Sequence, residues 1–109
     1  NYGLDEHWVR CYPYEQQVAR GERAALEVVF TNHSAEEREA VCRPVLPAEW
    51  GVQPGPQGAR IASKAEQGIT FAFEVPRDAE PGRWVVPVEV TYDGRRLGQF
   101  REAILEVVI

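Results

Sequence analysis

The chain has no methionine, one lysine (Lys64), two serines (Ser34 and Ser63) and two cysteines (Cys11 and Cys42) in 109 residues. These shortages exclude several kinds of chemistry. Neither serine sits in a nucleophile-elbow setting, so there is no serine-hydrolase signature. The two histidines, His7 and His33, fall in different predicted segments, with no HxH, HExxH or paired-cysteine spacing that would converge on a metal. Gly55-Pro56-Gln57-Gly58 lacks the following lysine and helix of a phosphate loop. No run approaches the roughly 20 apolar residues that span a bilayer, and no charged-then-apolar leader with a small-residue cleavage site is visible. The net charge of −5 disfavours nucleic acid and anionic membranes as partners. No cofactor and no metal are expected. The start at Asn1 and the absence of methionine suggest a segment of a longer protein.

A chain of this length suits one domain that buries a core without covalent staples. The hydrophobic fraction of 44% and charged fraction of 27% are those of a globular protein. Cys11 and Cys42 lie in separate predicted strands. A bond between them is open on sequence grounds, and buried free thiols are the preferred reading. Neither an extracellular nor a cytoplasmic location is favoured.

Strand signals recur every ten to fifteen residues, separated by Gly, Pro, Asn and Asp, which indicates an all-β fold. The first strand is expected over 7–12. Leu26, Val28 and Phe30 alternate onto one face of a strand over 24–31, which Asn32-His33-Ser34 closes as a turn. Residues 36–39 read as a solvated loop before a strand over 40–46, and Pro44 restricts that strand to an edge or a bulge. Residues 53–58 read as loop. The clearest alternation follows: Ile69, Phe71, Phe73 and Val75 point one way, Thr70, Ala72 and Glu74 the other. Trp84, Val86, Val88, Val90 and Tyr92 share a face of the next strand, in which Pro87 impairs pairing on one side. Asp93-Gly94 marks a hairpin, and the last strand, from about residue 97, is long enough for a bulge near Gly98. About seven strands in two sheets satisfy this pattern, because each sheet needs an apolar partner for its inner face.

Three phrases in order, Gly21-Glu22 with Phe30-Thr31-Asn32, Pro47 to Pro54, and Val75-Pro76 with Ala79 to Gly82, carry a resemblance. The chain resembles the bacterial immunoglobulin-like modules associated with α-galactosidases and with NPCBM carbohydrate-binding domains. Trp84 replaces the usual Tyr, Glu49 replaces a common Gly before the Trp, and Gln67-Gly68 replaces a Pro-Gly-Glu approach. The resemblance implies an immunoglobulin-like β-sandwich over 17–109. Residues 1–16 are then an N-terminal strand and approach segment from a preceding domain, the whole forming one domain. It also implies a non-catalytic accessory module at the C-terminus of a larger bacterial hydrolase.

No residue is assigned a catalytic role. Glu74, Glu89, Glu102 and Glu106 alternate with apolar residues, as solvent-facing positions do. A sandwich of this size is not expected to enclose a substrate cleft of roughly 300 Å³ or more. Trp50 and Trp84 read as corner residues filling the end of the sandwich. Trp8, Tyr12 and Tyr14 are the candidate ligand- or interface-binding residues, packing against the preceding catalytic domain of the same chain. The alternative is a polysaccharide platform, since sugar C–H groups pack on aromatic faces. An exposed sheet edge gives a third partner, a second copy of the chain. Asn32-His33-Ser34 also fits a glycosylation acceptor, for which the turn is the stronger reading.

Overall fold

The computed structural model describes residues 8–51 and 53–109. Its strands are β1 (Val9–Tyr12), β2 (Glu15–Ala19), β3 (Arg23–Thr31), β4 (Arg38–Pro44), β5 (Gln57–Ile61), β6 (Glu66–Glu74), β7 (Gly82–Tyr92) and β8 (Arg95–Val108). They form a three-stranded sheet, β1-β3-β6, and a five-stranded sheet, β2-β8-β7-β4-β5. All pairings are antiparallel except β2 with β8.

The inward faces follow the alternation of the sequence. Leu26, Val28 and Phe30 of β3 and Ile69, Phe71 and Phe73 of β6 meet Val86, Val88 and Val90 of β7 and Leu105 and Val107 of β8. Each fully buried side chain of this kind contributes about 1.5–3 kcal/mol to holding the two sheets together. The Asp93-Gly94 hairpin joins β7 to β8. Register breaks between Val88 and Glu89 and between Val90 and Thr91 leave Phe100 and Leu97 as the extra residues of two bulges in β8. Gly98 lies between them at φ +74°, a conformation that suits glycine.

The described residues form eight strands, in keeping with the expected two-sheet sandwich of about seven. The additional ones, β2 and β5, are five-residue edge strands with a single buried residue each, Val18 and Ile61. Of residues 1–16, the structure describes 8–16. Of those described, β1 belongs to one sheet, and the division at 16/17 falls inside β2 of the other. His7 lies outside the described residues. Pro44 is in a central strand, where it is tolerated as the last residue of β4, beyond the stretch paired with β5. Beside it, the Pro87 carbonyl accepts the Val45 N–H at 2.8 Å, and Pro87 has no N–H to return the bond.

Asn32 is the one fully buried polar residue among those described. Its Nδ2 donates to the carbonyls of Glu36 (2.8 Å), Ile61 (2.9 Å) and Ala62 (3.2 Å). Its Oδ1 accepts from the Ser34 N–H at 2.9 Å and the Ser34 hydroxyl at 2.7 Å. The amide nitrogen that a glycan would need is thus enclosed and fully used, and the turn reading of this triplet holds. Asn32→Ala would leave several buried groups unpaired and should lower the unfolding free energy by about 3 kcal/mol. Asn32→Asp should cost at least as much, since it sets a carboxylate against three carbonyls. Urea denaturation of both variants checks this, and an unchanged midpoint would refute the assigned role.

Candidate functional site

The three aromatic residues at the N-terminal end do not act together. Trp8 is 5% exposed. Its ring lies 4.6 Å from that of Tyr92, 5.6 Å from Phe100 and 6.4 Å from Phe30, closing one end of the sandwich. It is therefore no platform for a sugar or a partner domain. Phe100 reaches it because the β8 bulge supplies an extra residue there. Tyr12 and Tyr14, by contrast, are 69% and 56% exposed. They flank the crossing where the chain leaves the first sheet as β1 and joins the second as β2, and the Tyr14 carbonyl accepts the Ile104 N–H.

Beside that crossing lies a groove of about 600 Å³, whose walls include Arg10, Cys11, Tyr14, Gln99, Arg101 and Glu102. It is larger than the expected limit because it is an open flank between the edges of two sheets, where enclosure is not required. Arg101 spans it: Nε donates to the Val9 carbonyl at 2.8 Å, and the guanidinium lies 4.7 Å from the centre of the Phe100 ring. Arg10 pairs with Glu66 at 3.0 Å on the outer face of the three-stranded sheet.

The groups that sequence reasoning weighed for chemistry have structural roles. Ser34 binds Asn32, and Ser63 Oγ donates to the Ser34 carbonyl at 2.7 Å. The His33 carbonyl accepts from Lys64 Nζ at 2.6 Å. Glu89 pairs with Arg43 at 2.9 Å. Among the described residues, no three His, Cys, Asp or Glu side chains are grouped to hold a metal ion. No helix of the described residues is long and apolar enough to cross a membrane. Trp50 and Trp84 meet edge to face at 5.8 Å, with Trp50 only 6% exposed. Trp84 Nε1 donates to the Glu80 carbonyl at 2.9 Å. Both tryptophans fill the corner, as the sequence indicates.

Both cysteines are free. Burial pushes the Cys42 thiol up to about 12, with the nearby Cys11 adding to the effect. Burial likewise pushes Cys11 up to about 11; Arg101 partly offsets this and Glu102 reinforces it. Both thiols are protonated, and so poorly nucleophilic, at neutral pH.

No family model and no curated protein matches the chain. Solved structures do. The alkylpurine DNA glycosylase AlkC of Pseudomonas fluorescens, solved bound to DNA containing an abasic-site analogue, is similar over 94% of this chain, with a TM-score of 0.51 and 19% identity. The chain spans 31% of the length of that glycosylase. The CARDB domain of a Pyrococcus furiosus protein, solved in complex with di-metal ions, is similar over 97% of this chain and 94% of its own length, with a TM-score of 0.55 and 14% identity. The fold is an immunoglobulin-like β-sandwich. At such identities the likeness establishes the fold and nothing about ligands.

The thiols make a testable pair. With folded-state values near 11 and 12 against an ordinary 9.0, the folded protein holds protons that the unfolded chain releases. Their contribution to stability is therefore full below pH 9 and declines as pH rises through 11–12. Native protein at pH 8 should react with a thiol reagent far more slowly than urea-unfolded protein. The fall in denaturation midpoint between pH 8 and 10.5 should be shallower in Cys42→Ala. Rapid labelling of both thiols in the folded state would refute this.

Proposed function

We propose that this chain is a non-catalytic accessory module of a larger bacterial hydrolase, packing against or positioning the preceding catalytic domain through the Tyr12–Tyr14 corner. The observation that carries this reading is the exposure of Tyr12 and Tyr14 at the crossing between the sheets. Aromatic side chains left 69% and 56% exposed beside a groove are the kind of surface that a partner covers. The engagement of the serines, Glu89 and both thiols in structure supports a role without chemistry of its own. The similarity to a part of a longer enzyme is in keeping with a module that travels within larger chains.

A second reading has a specific observation behind it. Tyr14 lines the same groove as Arg10, Gln99 and Glu102, a combination of ring face and polar groups that suits a polysaccharide. Trp8 has no part in either reading.

The double variant Tyr12→Ala/Tyr14→Ala separates them. Packing predicts that the isolated module keeps its own melting midpoint, while its contact with the catalytic domain of the longer protein weakens by about 2 kcal/mol or more. Differential scanning calorimetry of the isolated and the longer protein reads both. A module that is retarded on immobilised polysaccharide, and loses that retardation in the variant, would replace packing with sugar binding. If the variant changes neither property, both readings fail.

A further inference from the structure

β1 is an edge strand, with β3 on one side of it and no strand on the other. The phase of its pairing decides which backbone groups face the open side. The Trp8 carbonyl accepts the Thr31 N–H at 2.7 Å, so Trp8, Arg10 and Tyr12 bond to β3. Val9 and Cys11 therefore turn their backbone groups away from it. Val9 is fully buried. Its outward carbonyl is thus shut off from water where no ladder reaches it, and an unpaired buried carbonyl is costly.

Arg101 supplies the missing partner from the other sheet. Its Nε donates to the Val9 carbonyl at 2.8 Å, and a terminal nitrogen donates to the Phe100 carbonyl at 3.2 Å. The same guanidinium lies 4.7 Å from the centre of the Phe100 ring. The planar fork is steadied by its own neighbour on one side and reaches β1 on the other, a combination that a single ammonium group does not offer. Farther along β8, the Ile104 N–H donates to the Tyr14 carbonyl at 2.8 Å. The stretch from Val9 to Tyr14 is thus a strap tied to β8 at both ends.

The two ties differ in kind. The bond at Tyr14 continues into the β2–β8 ladder, which the backbone makes whatever the side chains are. The bond at Val9 rests on one side chain. Without it, the least costly response is for β1 to lift until water reaches the Val9 carbonyl, while the ladders of β3, β6, β7 and β8 stay closed. Openings of this kind are local and need far less free energy than global unfolding.

We infer that Arg101 is a positioning residue: by bonding the Val9 carbonyl it holds the strap, and with it the Tyr12–Tyr14 corner, in the arrangement that the partner domain meets. A surface fixed in advance loses less freedom when it is covered. The partner in this inference is that of the packing reading above, on which it rests; the strap itself is open to test without a partner. Cys11 lies on the strap beside the groove, and Cys42 lies in the core on β4, so the two free thiols report separately on local and global opening.

The test labels the 109-residue chain with iodoacetamide at pH 8 and follows each thiol by peptide mass spectrometry. Arg101→Met keeps the length of the side chain and removes its donors. It should speed Cys11 labelling about tenfold or more, the effect of leaving one buried carbonyl unpaired, with the Cys42 rate unchanged. Arg101→Lys keeps one donor and the cation over Phe100, and should restore most of the protection. Equal acceleration of both thiols in Arg101→Met, which a misfolded variant would also give, overturns the inference. So does an unchanged Cys11 rate, or a Lys variant that labels as fast as the Met variant. In the longer protein, Arg101→Met should weaken the calorimetric coupling to the catalytic domain in the same direction as Tyr12→Ala/Tyr14→Ala. Coupling lost in the tyrosine variant and kept in Arg101→Met overturns the positioning role. Coupling unaffected by either variant removes the packing reading instead, and the labelling rates still decide whether Arg101 holds the strap.

Discussion

One side chain holds both sheet-to-sheet crossings at one end of this sandwich. After β3 the chain leaves the three-stranded sheet for β4, and after β5 it returns as β6. Asn32 Nδ2 bonds Glu36 on the outward crossing and Ile61 and Ala62 on the return, while its backbone N–H bonds Ala65. Crossings are costly places in a sandwich, because their backbone groups have left one ladder and not yet joined another. A charged side chain there would add a desolvation cost, and an apolar one would leave three carbonyls unpaired. Asparagine supplies donors and an acceptor without a charge. The relative placement of the two sheets at this end, and with it the alignment of Phe30 beneath Trp8 and Tyr92, follows from that amide.

What could be read from the sequence depended on how much each residue's burial constrained its type. In β3, β6 and β7 one face is enclosed, so apolar residues recur at every second position and the strands are visible as patterns. β2 and β5 lie at edges and bury one residue each, so Glu15-Gln16-Gln17 and Gln57-Gly58-Ala59-Arg60 carry no period. Loop-like composition at 53–58 concealed the start of β5 for the same reason. Pro44 suggests an edge or a bulge, yet its strand lies between β7 and β5. A proline at the end of a strand removes no bond that a neighbour supplies, and the sequence does not show where the neighbouring strand stops.

The candidate site was legible in part. Period-two alternation puts positions 8, 10 and 12 on one face, which favours reading Trp8 with Tyr12 as a strip. Arg10 and Tyr12 do turn outward, but Trp8 precedes the first residue of β1 and is released from that alternation. Its ring folds over the end of the core, where Phe100 and Tyr92 receive it. Partial burial raises the Tyr92 hydroxyl above its ordinary pKa, with Arg38 opposing and Asp93 adding to the shift. The bulge that brings Phe100 into place was signalled by Gly98, although its partner in space was not. Three aromatics that look alike in sequence thus divide into one structural ring and two exposed ones.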